Sequence, residues 1–451
     1  LSTRRPRIVF LNRSYWPDIE ATGQLLTDLC AGLADEFDVH VVCGQPNFPE
    51  HDVRFNASGI EVREGVTIHR LDHRRFEKKN PFGRILGMIS FYKAVDRYLE
   101  STGLAADVVI SETDPFMLPI AGAKHARRIG SRHCVYLQDI YPDVAEAIGK
   151  LRLPMAGRLI RQRLRIAYQD ASKILVLGQC MKDRLTNPAW NIEPSKIEIM
   201  PNWADCSKLF PVDHFNNHFR LRHQLHDRFV VMHSGNMGLT QRLEVLIDAA
   251  ASPEWPQRAK LLLVGNGASR DRLIEHAQRL GLNEDRVQFV SYQPREKLYE
   301  SLSAADVHVV SMHERVVGCL CPSKLYGIMA VGRPVIAIAD PKTDLFQTII
   351  DRKLGWCVRP GSPELIANAV AIAEGESRRE IKQRTKLGGR QKTARHIALT
   401  EFDRTVIVER FARMLHHLID PASVPRPKML APVVTNFPIG VTVQSPNAPL
   451  G

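Results

Sequence analysis

Short runs of β-branched and aliphatic residues recur along this chain at helix-sized intervals, and then the whole series begins again. The first set is Ile8 to Leu11, Val39 to Cys43, Val66 to Leu71, Val108 to Ser111, Cys134 to Leu137 and Ile174 to Leu177. The second is Phe229 to His233, Leu261 to Val264, Val287 to Val290, Val307 to Val310, Val335 to Ile338 and Trp356 to Val358. Helical patterns such as Gly23 to Ala34 and Pro119 to Ile129 lie between them. Strands that alternate with helices build parallel sheets covered on both faces, so the expected fold class is α/β with two tandem Rossmann-like domains. A chain of 451 residues that is 44% apolar has material for two cores.

The polar stretch Asp213 to Arg228 reads as the linker between the repeats. The expected division is therefore 1-212 for an N-terminal domain, 213-395 for a second domain, 396-420 for a closing helical segment, and 421-451 for a proline-rich tail without fixed structure. Arg404 to Leu418 carries the amphipathic pattern of a final helix. Doubly wound sheets bind ligands beyond the carboxyl ends of their strands, and two such sheets are expected to face a cleft. Candidate chemistry is therefore sought in the loops that follow strands.

Three such loops fall in the second repeat. His233-Ser-Gly235-Asn236-Met237-Gly238 follows a strand and precedes a helix, so its glycines let backbone approach an anion closely and Asn236 can donate from its amide. Gly265-Asn266-Gly267 follows the next strand and can line a ribose or base, with Tyr292 after the third strand as a further nucleoside-binding candidate. Cys321-Pro322-Ser323-Lys324-Leu325 opens a helix that Gly332 ends, which offers backbone N–H groups, the Ser323 hydroxyl and the Lys324 ammonium to a diphosphate. Arg242 is the nearest additional cation. Each loop alone is an ordinary strand-to-helix turn; three in one repeat point to nucleotide binding.

In the first repeat, the loop Arg13 to Gln24 contains Tyr15 and Trp16, which suit a sugar face, and Thr22 and Gly23, whose backbone would point at the cleft. Asp139 follows the strand Cys134 to Leu137, where a carboxylate either binds hydroxyls and assists proton transfer or caps the next helix.

The net charge of +12 calls for anionic partners. Residues 69-97 hold eight Lys or Arg against three acids, interleaved with Phe76, Phe82, Ile85, Leu86, Phe91 and Tyr92, a composition that suits an anionic membrane surface. A second basic run, Arg152, Arg158, Arg161, Arg163 and Arg165, falls on one amphipathic helix. No recognition helix, zinc finger or RNA-binding signature appears, so nucleic acid is not an expected partner. The eight cysteines lack metal-site spacing and read as reduced thiols of a cytoplasmic protein with no metal site. No apolar run reaches the length of a membrane span, and the sequence opens on Leu1 rather than Met, which leaves room for an upstream segment.

Taken in order, Thr22-Gly23, Gln138-Asp139, Pro201-Asn202-Trp203-Ala204-Asp205, Ser234 to Gly238, Val264 to Gly267 and Pro322-Ser323-Lys324 resemble the GT-B glycosyltransferases of family 4. The resemblance is strongest to the subgroup that builds O-antigen, colanic acid and similar exopolysaccharides, and it runs from about residue 7 to residue 420. It implies an acceptor-binding N-terminal domain, a donor-binding C-terminal domain and a last helix that returns to the first. The implied reaction moves a sugar from a nucleotide diphosphate, mostly UDP, to a saccharide or lipid-linked acceptor at the inner face of the cytoplasmic membrane. Retention at the anomeric carbon and no metal or other cofactor are implied as well, with Asp139 as the catalytic residue and Gly235, Asn236, Gly238, Arg242, Ser323, Lys324 and Leu325 around the diphosphate. The chain departs from the family at Cys319 and Gly327, where two glutamates are expected, and at Asn236 and Gln241, where a cationic pair is expected. Two other readings stay open: a nucleotide-sugar epimerase, and a relative that binds nucleotide sugars without catalysis.

Overall fold

A computed structural model of the chain describes residues 4–18, 20–46, 58–74, 81–151, 154–382 and 389–420. They form two compact units. The first holds the described residues up to Trp203, the segment Gly318–Cys321 and those from Arg404 onward; the second holds Ala204–Val317 and Pro322–Asp403. The sequence division at 212 and 213 thus differs from the division in space, which falls after Trp203. Arg75, Phe76, Lys78, Lys79, Arg152 and the proline-rich tail lie outside the described residues.

The first unit is built on one sheet of eight strands. In chain order these are β1 (Arg7–Leu11), β2 (Asp38–Cys43), β3 (Gly59–Arg63), β4 (Val66–Arg70), β5 (Val108–Ser111), β6 (Arg132–Tyr136), β7 (Lys173–Val176) and β8 (Ile197–Ile199). They lie in the order β3-β4-β2-β1-β5-β6-β7-β8 and are parallel apart from β3, which runs antiparallel to β4. The central strands read as unbroken apolar runs because helices cover both faces. The sequence pattern shows neither β3 nor β8. In β3 the polarity is inverted: Ile60 and Val62 are 61% and 71% exposed, while Glu61 accepts a 2.7 Å hydrogen bond from the fully buried Arg70.

The last helix, Arg404–Ile419, belongs to this unit. Ile407, Phe411 and Leu415 are fully buried in the same core as Ile8 and Phe10, and the Phe411 ring lies 6.2 Å from Phe10 and 5.7 Å from Tyr136. Its amphipathic stripe is the sequence signal that showed the helix, and its return to the first unit was what the family resemblance implied.

The second unit has six parallel strands, β9 (Phe229–Ser234), β10 (Ala259–Val264), β11 (Val287–Val290), β12 (Val307–Ser311), β13 (Val335–Ile338) and β14 (Gly355–Val358). Their order is β11-β10-β9-β12-β13-β14, the doubly wound arrangement in which the winding direction reverses between β9 and β12. The same reversal falls between β1 and β5 in the first unit. At each reversal neighbouring loops leave in opposite directions and open a crevice beyond the strand ends.

The stretch Asp213 to Arg228 is part of the second unit's packing, contrary to its reading as a linker. Arg220 is 3% exposed and donates to the carbonyls of Ala304, Leu225 and Arg228 and to the Asp306 carboxylate. Phe219 beside it is 1% exposed. The segment is polar because one buried guanidinium, rather than a stripe of aliphatics, organises it.

Several histidines are buried and neutral. Asp38, His40, His69 and Tyr98 form a chain with contacts of 3.1, 2.8 and 2.7 Å. Burial holds His69 down to about 4, His133 to about 3, and His214 and His308 to about 4. Unfolded histidines titrate near 6.5, so between about 6.5 and 4 the unfolded chain binds more protons and stability falls as pH falls. A melting series from pH 7.5 to 4.5 should show a steady loss of Tm; a flat or rising Tm would refute the neutral buried histidines.

Candidate active site

In the second unit two glycine loops meet at the carboxyl ends of β9 and β10, and the third candidate, the helix start at Ser323, follows β12. Gly235 follows β9 with φ +118°, Gly265 follows β10 with φ +133°, and Gly267 has φ +154°, backbone conformations that L side chains rarely adopt. A Cβ on Gly265 would stand 2.1 Å from the Gly235 carbonyl oxygen, and one on Gly267 would stand 2.5 Å from the Met237 carbonyl oxygen. The first and second loops are therefore packed backbone on backbone. Their amides are engaged in that packing: Gly235 N–H donates to Val264, Gly265 N–H to Val290 and Met237 N–H to Asn266, all to carbonyls. Gly238 N–H donates to the Gln241 side-chain oxygen at 2.9 Å.

This corrects the expectation that the amides of Gly235 and Gly238 all face a diphosphate. The Gly235 amide ties its loop to the end of β10, and the Gly238 amide is taken up within its own loop. Asn236 and Asn266 are exposed at the crest, and Tyr292, at the end of β11, is 49% exposed.

The third element is the helix Lys324–Ala330, seven residues long, with Ser323 at its N-cap. It begins later than the sequence suggested: Pro322 precedes the cap, so only about two turns stand behind any dipole effect. Gly332 ends it at φ +63°, and Arg395 donates to the Ala330 carbonyl, which places a cation at the negative end. Leu325 is 6% exposed and serves the core; only its backbone is left to face a ligand. The Ser323 side chain makes no cap hydrogen bond.

Lys324 joins this helix to the first loop. Its amine lies 2.9 Å from His233 Nε2 and donates to the Asn236 carbonyl at 3.2 Å. A Cβ on Gly235 would meet the Lys324 stem at 2.8 Å, so the glycine is the floor under the lysine. Burial draws the Lys324 amine down to about 7. His233 is fully buried and is held well below its usual range, first by desolvation and then by Lys324. Arg242 has φ +45° and faces Glu314 at 3.8 Å. Glu314, Asp340, Lys342 and Arg359 line a polar hollow of about 380 Å³ beyond β12 to β14.

Departures from the family pattern find ordinary packing. A side chain at Gly327 would point toward Leu302 and Leu209, and Tyr326 packs its ring on Phe402 at 5.1 Å. Cys319 belongs to the first unit, where its carbonyl accepts from Ile140 N–H at 2.8 Å and its thiol is pushed up to about 11 by burial.

In the first unit the crevice between β1 and β5 is lined by a charge network. Arg13 donates to both oxygens of Asp114 at 3.1 and 3.0 Å and reaches Glu20 at 3.5 Å, while Ser14 Oγ contacts the same two carboxylates. Asp139 stands after β6, next in the sheet, in a bridge with Leu320. Burial, and then the charge of Asp114, raise its carboxyl to about 6. It caps no helix, since the next one starts at Asp143 behind Pro142.

Other assignments in this unit change. Tyr15 is 3% exposed and bonds Cys30, so it belongs to the core, and Trp16 is covered by the Arg63 guanidinium at 4.1 Å. Thr22 and Gly23 lie inside the first turn of the helix Ala21–Leu33, with Gly23 against Ser14 and Tyr15. Phe91 of the basic stretch is fully buried. The sequence reading named His233 only as the start of a glycine loop and missed its contact with Lys324 and the Arg13–Asp114–Glu20 network. A polar residue at the carboxyl end of an otherwise apolar central strand was the available signal for His233.

Two Rossmann-like units, one with a half-buried lysine over its glycine loops, have the architecture of the GT-B transferases. Residues 216–391 match the family described as glycosyl transferases group 1, and residues 21–203 match the glycosyl transferase 4-like domain. The chain belongs to the group 1 glycosyltransferases. A relative in Pseudomonas aeruginosa, named as a glycosyltransferase, WbjE, is 25% identical over 72% of this chain and 78% of its own. One in Escherichia coli (strain K12), named as a colanic acid biosynthesis glycosyl transferase, WcaI, is 23% identical over 81% and 92%. Among solved structures, Anabaena HepE in complex with UDP has a TM-score of 0.66 at 17% identity, covering 91% of this chain and 99% of that one. Sucrose-phosphate synthase from Thermosynechococcus elongatus has a TM-score of 0.70 at 19% identity, covering 93% and 100%. WaaG, a glycosyltransferase of lipopolysaccharide biosynthesis, has a TM-score of 0.64 at 15% identity, covering 90% and 99%.

Gly265→Ala places a methyl group against a carbonyl that cannot yield without moving the first loop. The substitution should cost about 2–4 kcal/mol of stability, read by chemical denaturation. A loss within 0.5 kcal/mol would show that the two loops are not in contact.

Proposed function

We propose that this glycosyltransferase moves a hexosyl or N-acetylhexosaminyl group from a UDP-sugar to a saccharide or lipid-linked saccharide during assembly of a surface polysaccharide. The observation that carries the donor site is Lys324, seated over Gly235 between two glycine loops. The names of WcaI and WaaG support the polysaccharide role, and the UDP complex of HepE supports the nucleotide.

As the anomeric carbon–oxygen bond to phosphate breaks, negative charge gathers on the departing diphosphate. A cation held in a desolvated site stabilises that charge more than an exposed one does. Lys324 supplies this cation, aided by Arg242 and the Ser323 hydroxyl, and the reaction is proposed to run without metal. The new bond forms to an acceptor oxygen with retention, the acceptor proton passing to the donor phosphate. Asp139 binds a hydroxyl of the reacting sugars in its ionised form. Asn266 and Tyr292 are proposed to line the nucleoside.

UDP should raise the Tm of the protein, and Lys324→Met should abolish that shift and lower kcat/KM at least 100-fold. Absence of stabilisation by UDP or any UDP-sugar would end the donor assignment. Activity should fall as pH drops below about 6, because the Asp139 carboxyl takes up its proton there. Asp139→Ala should remove turnover; an unchanged rate in that variant would refute the role.

The membrane-facing surface is proposed to lie on the first unit at the inner face of the cytoplasmic membrane. Among the described residues no helix is long and apolar enough to cross a bilayer. Within residues 69-97, Ile85 and Leu86 are 56% and 54% exposed, with Lys93 and Arg97 exposed on the same helix, Pro81–Thr102. On the helix Pro154–Asp170, Met155, Leu159 and Ile166 are 83%, 56% and 51% exposed and share one face with exposed Arg158 and Arg163. Aliphatics interspersed with arginine suit an anionic lipid interface. Vesicles containing phosphatidylglycerol should sediment the protein and neutral vesicles should not. Arg158→Glu with Arg163→Glu should weaken that binding roughly tenfold or more, at about 1 kcal/mol per charge; equal binding to both vesicles would refute the surface.

A further inference from the structure

We infer that His233 is a positioning residue for the donor reaction, and that through its contact with Lys324 the binding of a diphosphate is coupled to the uptake of a proton. The inference rests on the donor site proposed above, and it concerns how that site is prepared before the donor arrives.

The geometry is closed on every side. His233 is the fifth residue of β9 and is fully buried, paired with Leu263 of β10 and close to the Val309 backbone of β12. Its Nε2 lies 2.9 Å from Lys324 Nζ. Toward the ammonium form of Lys324, which has only donors, Nε2 must be the acceptor, so in that state Nδ1 bears the imidazole proton. The second tether of Lys324 is the Asn236 carbonyl at 3.2 Å, and the stem between them is pressed on Gly235. Both acceptors are neutral. The titratable group that faces His233 from β12 is His308, itself kept neutral by burial, and no ion pair to Lys324 exists among the described residues.

A lysine usually sits opposite a carboxylate, which keeps it charged. Here a neutral imidazole and a carbonyl orient the amine without neutralising it, while desolvation favours its uncharged form. A diphosphate arriving at the crest supplies the missing negative charge. The amine then takes a proton from solvent and becomes ammonium, and the imidazole keeps its lone pair on the nitrogen so that the remaining N–H bonds turn to phosphate oxygens. A carboxylate in place of His233 would hold the ammonium for itself and compete with the donor.

The test is calorimetric titration of the full chain with UDP at pH 8.0 in buffers of different ionisation enthalpy. The wild-type protein should take up roughly one proton per UDP, and its affinity should fall up to tenfold per pH unit above neutrality. Lys324→Arg, always charged, should bind UDP with no proton uptake. His233→Leu should weaken UDP binding about tenfold, and His233→Gln, whose amide oxygen can accept from Lys324, should restore most of it. Binding of UDP without proton uptake, or equal binding by the Leu and Gln variants, would overturn the inference. Absence of any UDP binding would instead count against the donor site itself. In that event the positioning role is decided without ligand: nitrogen NMR should find His233 neutral with its proton on Nδ1 from pH 5.5 to 6.5, where Lys324 is ammonium, and a protonated Nε2 in that range would refute it.

Discussion

The proposed donor site depends on one close approach: the carbonyl oxygen of Gly235 occupies the place where residue 265 would carry its side chain. Because that space is empty, the loops after β9 and β10 lie directly on each other. The amides of Gly235 and Met237 donate across to the carbonyls of Val264 and Asn266, which ties the two loops together. Lys324 reaches over these loops and is held by groups that orient it without discharging it. Preorganised charge in a dry site is the form of stabilisation that a departing diphosphate uses best.

The same principle explains why the lost glutamates of the family pattern leave no visible defect. Gly327 faces Leu302 and Leu209, and Tyr326 rests on Phe402, so the back of the helix is an apolar contact. Cys319 is committed to the first unit through its backbone. The positions that differ are absorbed into packing.

The parallel strands were legible because each is buried on both faces and so reads as an unbroken apolar run. β3 was hidden because its inward residue is Glu61, paired with a buried arginine, and its outward residues are apolar. The stretch around Arg220 was hidden for a related reason, since one charged side chain with four partners does the work of a hydrophobic stripe. The candidate site was legible as a set of glycines, whose strained φ angles local sequence reports well. Which amides point outward was not legible, because that depends on pairing between loops some thirty residues apart. The role of His233 was likewise beyond sequence, since its partner lies ninety-one positions away.

The closing helix gives the chain an awkward order of synthesis. Ile407, Phe411 and Leu415 complete the core of a unit whose sheet is finished by Ile199, so the first unit leaves the ribosome with an apolar wall still missing. At 5–20 residues per second the roughly 200 residues between take on the order of 10–40 s to make. For that interval Phe10 and Tyr136 lack the cover they have in the finished molecule. The second unit, contiguous apart from four residues, meets no comparable delay. A nascent chain stalled before Arg404 should therefore be the species that chaperones recognise and proteases find.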